Sequence, residues 1–120
     1  MKSRHTGIKR ILHAFCYSWD GLVAVFKNEA AFRQDLILCI SGVILQFFID
    51  VPVLHRVIML FSLIFIIVAE LINTALETVV DRIGAEYNPL SKRAKDIGSA
   101  IVLLAIISVV CLWAALIVLG

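Results

Sequence analysis

The chain has 120 residues, 62% of them hydrophobic, and a formal net charge of +2; its mean hydropathy is +1.01. A single small domain of that composition takes lipid as its principal solvent, and so slight a positive excess gives no basis for nucleic-acid binding. Cys16, Cys39 and Cys111 are scattered through apolar sequence with no CxxC pair, and they read as small hydrophobes.

Residues 7–28 form the first predicted element. Ile8, Leu12, Phe15, Trp19, Leu22 and Phe26 recur at alternating steps of four and three, while Lys9, Arg10, His13 and Asp20 fall between them. That spacing makes an amphipathic helix, and with no second soluble domain to pack on, it is expected to lie in the membrane interface. The longest apolar run in this region is 22–26, too short for a signal-peptide core, so the amino terminus is expected to be retained.

The next element, 30–49, is a short membrane span. Only fourteen uncharged residues separate Asp35 from Asp50, about 21 Å of helix, so it must borrow residues 30–32 and the snorkelling Arg33 to cross. The second span, 54–82, is long enough, but its later half carries Glu70, Asn73 and Glu77. A loop is expected over 83–95 because proline after Asn88 disfavours helix there. The third span, 96–119, lies in the uncharged run 97–120, about 36 Å as a helix.

Orientation follows from the basic residues. Lys2, Arg4, Lys9, Arg10, Lys27, Arg33, Arg82, Lys92, Arg93 and Lys95 lie before the first span or between the second and third, leaving only Arg56 elsewhere. By the positive-inside rule, the amino terminus and the 83–95 loop face the cytoplasm. The fold class expected is an all-α membrane protein: an amphipathic surface helix followed by three transmembrane helices.

Within the second span, Glu70, Asn73, Glu77 and Asp81 fall at about 0°, 300°, 340° and 20° around a helix, within one arc of about 80°. A carboxylate in hydrocarbon costs about 2.5 to 3.5 kcal/mol on insertion scales, so this stripe must face protein, metal or water. No Lys or Arg lies inside the apolar stretches 36–49, 57–80 and 97–120 to neutralise it. Glu70, the deepest, suits a general base. Glu77 and Glu29, nearer the surface, offer the hard oxygens that Mg²⁺ prefers. Neither GxxxxGK[ST] nor GxGxxG occurs, so a nucleotide site would need another construction, and Lys92, Arg93, Lys95 and Asp96 stand where cations could clamp a polyphosphate.

The run Glu70-Leu71-Ile72-Asn73-Thr74-Ala75-Leu76-Glu77-Thr78-Val79-Val80-Asp81-Arg82-Ile83-Gly84 resembles the signature of the prokaryotic diacylglycerol kinases. Tyr17-Ser18-Trp19, Asn28-Glu29-Ala30-Ala31-Phe32-Arg33-Gln34, Glu86-Tyr87-Asn88 and residues 91–100 match in the same order. The resemblance implies a homotrimer in the bacterial inner membrane, with active sites shared between subunits and ATP and Mg²⁺ as co-substrate and cofactor. It makes Glu70 the general base and gives the metal to Glu29 and Glu77. Around ATP it sets Arg10, Tyr17, Glu29, Glu77, Glu86, Tyr87, Asn88, Lys95 and Asp96. Diacylglycerol would lie near Arg10, Ser18, Trp19, Ala31, Phe32, Arg33, Gln34, Arg56, Glu70, Ser99 and Trp113, with Asn73 and Asp81 supporting. Phosphorylation of undecaprenol, as in a related branch, and a small proton or ion carrier are the alternatives.

Overall fold

The computed structural model describes residues 6–119, and these form four helices and no strand: α1 (Ile8–Asn28), α2 (Ala30–Gln46), α3 (Val53–Ile83) and α4 (Pro89–Leu119). Lys2 and Arg4, counted in the charge asymmetry, lie outside the described residues, as do the remaining residues of 1–5 and Gly120.

Helix α1 starts after Gly7, whose φ of 66° is open to glycine without the Cβ penalty. It ends at Glu29, an extended residue with φ −118° and ψ 108° that separates it from α2. Arg33 fixes this joint by donating from one guanidinium nitrogen to the carbonyls of Phe26, at 2.7 Å, and Lys27, at 3.2 Å. The last turn of α1 thereby gains a charged donor for carbonyls that have no partner inside the helix. Beyond that joint the apolar face of α1 is bare: Ile8, Phe15 and Trp19 are 77%, 71% and 67% exposed. An apolar face this open suits a helix laid on lipid.

Helix α2 stops at Gln46 and continues as turns to residue 49, three residues short of the predicted span 30–49. Arg56 donates to the carbonyls of Gln46 and Ile49, the latter at 3.0 Å, and so closes the end of α2 from α3. The Gln46 side chain, 1% exposed, returns the contact. In the amide orientation its neighbours require, it donates to Arg56 O at 3.2 Å and accepts from Leu60 N–H at 3.3 Å. A primary amide buried among apolar helices must be satisfied in this way.

Helices α3 and α4 are both 31 residues long and apolar enough to cross a membrane. Each measures about 46 Å, so about three turns extend beyond a 30 Å hydrocarbon layer. They pack on each other, and Met59, Ala69, Ala105 and Val109 are buried along them. Trp113 crosses the seam by donating from its indole N–H to Ser62 Oγ at 2.8 Å.

The start of α4 corrects the expected loop over 83–95; the helix that carries the expected last span begins before residue 96. The loop is confined to 84–88, and helix begins at Pro89. Asn88 Oδ1 accepts from the backbone N–H of Leu90 at 2.8 Å and of Ser91 at 3.4 Å. Asn88 is therefore an N-cap and Pro89 the first helical residue, a position where proline's missing N–H costs nothing. The same dipeptide that disfavours helix at its asparagine opens one at its proline.

Candidate active site

The stripe on α3 grades from buried to exposed. Glu70 is 5% exposed, Asn73 and Glu77 are half-buried, and Asp81 is exposed. Asn73 stands one turn along α3, beside the Glu70 carboxylate. Its Oδ1 is shielded from solvent and has no hydrogen-bond partner. Beside it lies Gly98 of α4, where an added Cβ would run into Asn73 Oδ1 and meet Leu76 Cδ1 at 3.4 Å. Glycine there lets α4 close over the polar stripe. Gly98→Ala is expected to displace Asn73, lower the thermal midpoint in detergent through about 1–3 kcal/mol of overpacking, and reduce turnover as well.

A second carboxylate approaches Glu70 from another helix. Asp35 of α2 lies close enough to act on it electrostatically, and no Lys or Arg lies in the apolar stretches 36–49 and 57–80 beside them. Asp35 also borders a small cavity of about 100 Å³ with Cys39, Leu63 and Ile106. In sequence, Asp35 served only as the boundary of an apolar run. The available signal was that a charge at the edge of so short a span needs a partner.

At the end of α3 the chain forms a groove of about 390 Å³ lined by Asp81, Glu86, Tyr87, Asn88, Lys92, Lys95 and Asp96, together with Gly84 and Ala85. Lys95 Nζ lies 2.8 Å from Asp81 Oδ1 and ties α4 to α3. The bond to Asp81 holds the Lys95 ammonium charged to higher pH than an ordinary lysine. Five of the residues assigned to ATP by resemblance, Glu86, Tyr87, Asn88, Lys95 and Asp96, thus meet in one place. Arg10 and Tyr17 do not line it; both are on α1, where Tyr17 stacks on His13 with ring centroids 6.3 Å apart.

Among the residues assigned to the lipid, Trp19 and Phe32 line an apolar groove of about 460 Å³ with Leu22, Val23, Phe26, Leu36 and Ile67, and Lys27 at its rim. This groove lies between α1 and the spanning helices and is wide enough for an acyl chain. Arg33 is engaged at the α1 joint, as described. Ser18 donates to its own helix at Ala14 O, 2.9 Å. Ala31, Gln34 and Ser99 are exposed and line neither groove. Arg56 stands at the other end of α2, about 16 Å along α3 from Ile67, and Trp113 is engaged with Ser62 in the same direction.

Glu29 sits at the α1–α2 joint and Glu77 on the stripe. Among the described residues no group of three His, Cys, Asp or Glu stands together as a metal cage. Mg²⁺ bound with nucleotide commonly takes one or two carboxylates and completes its shell with phosphates and water. Glu29 and Glu77 each offer oxygen donors of that type, from two different elements of the chain.

Taken together, these elements define a helical membrane protein with a buried carboxylate stripe, a charged groove at one end of its long helices and an apolar groove between its first helix and the spanning helices. The prokaryotic diacylglycerol kinase family model matches residues 16–117. The chain is 47% identical to the diacylglycerol kinase of Escherichia coli K12 over 116 residues, covering 97% of this chain and 95% of that one. It is 41% identical to the Pseudomonas aeruginosa diacylglycerol kinase over 111 residues, 92% of this chain and 90% of the relative. With the Helicobacter pylori 26695 diacylglycerol kinase it shares 36% identity over 107 residues, 89% and 84% of the two. The chain belongs to the prokaryotic diacylglycerol kinase family.

Proposed function

We propose that the chain transfers the γ-phosphoryl group of ATP directly to the primary hydroxyl of diacylglycerol, giving phosphatidic acid and ADP. The observation that carries this reading is the α3 stripe. It runs about 16 Å from Asp81, beside the charged groove, down to Glu70 in apolar surroundings, and so joins a site for a cytosolic substrate to one for a substrate dissolved in the bilayer. Membership of the family and the names of the relatives support diacylglycerol over undecaprenol.

In this mechanism the lipid hydroxyl loses its proton to Glu70 as its oxygen attacks the γ-phosphorus, and the bond to the ADP oxygen breaks in line. No covalent enzyme intermediate forms. Asn73, beside the Glu70 carboxylate, orients it. Lys95, with Glu86, Tyr87, Asn88 and Asp96, holds the nucleotide, and Arg10 and Tyr17 reach it from the surface helix. Glu29 and Glu77 would hold Mg²⁺, which when bound offsets the negative charge of the phosphates. The apolar groove at Trp19 and Phe32 takes an acyl chain, while Ser18, Ala31, Arg33, Gln34, Arg56, Ser99 and Trp113 supply the remaining lipid contacts.

The chain crosses the bacterial inner membrane three times with its amino terminus in the cytoplasm. Helix α2, about 26 Å long, is the first of these spans, and its flanking turns and the Arg33 side chain make up the difference. Its outward face is apolar, with Ile37, Leu38 and Ile44 more than half exposed, consistent with contact to lipid or to neighbouring subunits of a homotrimer that shares its active sites.

Binding of MgATP should raise the thermal midpoint of the purified chain in detergent, because a ligand that binds only the folded state stabilises it. A proton or ion carrier would give no response. A midpoint unmoved at millimolar MgATP would remove the support for a nucleotide site.

A further inference from the structure

Lys92 is not among the residues that the family resemblance gives to the nucleotide. It nevertheless borders two grooves at the start of α4. One is the charged groove with Asp81, Glu86 and Lys95. The other, of about 500 Å³, runs along the adjoining face past Arg93, Ile97 and Ala100. Tyr87, Lys92 and Asp96 line both, and form the ridge between them.

The two lysines of the charged groove are held differently. Lys95 reaches across to Asp81 on another helix. Lys92 reaches along its own helix to Asp96 Oδ2 at 2.6 Å, with the two side chains 60% and 63% exposed. Exposed pairs one turn apart hold weakly, so the Lys92 ammonium can leave Asp96 for a stronger anion without moving either helix. The charged side chains lining the groove are Asp81, Glu86 and Asp96 against Lys92 and Lys95, three minus two, a net negative lining that opposes an incoming polyphosphate. Lys92 is the cation of this set least committed to the fold.

We propose that Lys92 is a nucleotide-binding residue of this chain, whose ammonium passes from Asp96 to the phosphates as they enter the groove. This rests on the reading that the nucleotide occupies that groove. A charge-assisted bond to phosphate is stronger than the exposed pair it replaces, and the transfer leaves a cation on the anionic ligand at a site whose own charge is unfavourable. A lysine kept only to mark the cytoplasmic side would affect orientation and not nucleotide affinity.

The test is steady-state kinetics of the full chain in mixed micelles, with MgATP varied at saturating diacylglycerol and the converse. Lys92→Ala and Lys92→Gln are expected to raise the KM for MgATP about three- to tenfold and to leave the KM for diacylglycerol unchanged. Lys92→Arg should keep most of the native value, and the difference between Lys92→Ala and native should shrink as salt rises. Thermal midpoints without nucleotide report whether each variant is folded. An unchanged KM for MgATP in a folded variant overturns the proposal, and so do equal increases in both KM values, which would assign Lys92 to membrane attachment. Failure of the native chain itself to transfer phosphate would instead overturn the nucleotide reading on which the proposal stands.

Discussion

Glu70→Gln is expected to lower kcat by about 10² to 10⁴, the range for loss of a positioned general base, while leaving the fold and the KM for MgATP close to native. The substitution keeps the volume but removes the ability to take a proton. Because Glu70 is buried, water cannot readily serve in its place. The nearby Asp35 makes the comparison sharper, since Asp35→Asn should cost less than Glu70→Gln if Glu70 is the base. A larger loss from Asp35→Asn would move that role to α2. Folding of each variant is checked by helix content and thermal midpoint, and turnover by release of ADP in mixed micelles.

The second large effect is expected at Glu77. Glu77→Ala should raise the Mg²⁺ concentration for half-maximal activity by about tenfold or more, with activity partly recovered at high Mg²⁺. Glu77 is half-buried and shares its face with the buried Thr74 and Val80, so the thermal midpoint of Glu77→Ala without Mg²⁺ checks that the α3–α4 seam is intact. Glu29→Ala should behave likewise, although Glu29 also forms the joint between α1 and α2 and its loss should lower the thermal midpoint slightly. An unaltered Mg²⁺ titration in Glu77→Ala would exclude it as a ligand.

These residues were legible in the sequence because charge inside an apolar helix is costly and therefore conspicuous. Glu70, Asn73, Glu77 and Asp81 needed only helical periodicity to be placed on one face, and the structure adds their gradient of burial. Asn88 and Pro89 were conspicuous as well, but their effect depends on which residue stands at the cap. Read as a break, they lengthened the loop; in the fold they start α4, which brings Lys92, Lys95 and Asp96 onto one helix beside Asp81.

Asp35, Gln46 and Gly98 could not be placed from the sequence, because each acquires its role from a different helix. Asp35 matters through its approach to Glu70, and Gln46 through an amide set against the α3 backbone. Gly98 matters through the absence of a side chain opposite Asn73. Periodicity along one helix carries no information about such pairings. The apolar groove had the same limitation. Trp19, Leu22 and Phe26 could be assigned to a lipid-facing surface from their spacing, but that Phe32, Leu36 and Ile67 complete a cavity with them is a consequence of the turn at Glu29.

In the proposed function one stripe of side chains connects the nucleotide groove to the buried Glu70. The most direct test of this is transfer of labelled γ-phosphate from MgATP in mixed micelles containing diacylglycerol or undecaprenol, comparing native chain with Glu70→Gln. The expected result is label in phosphatidic acid, lost in the Glu70 variant. Label confined to undecaprenol phosphate would contradict the substrate, and label in neither lipid would contradict the phosphotransfer reading altogether.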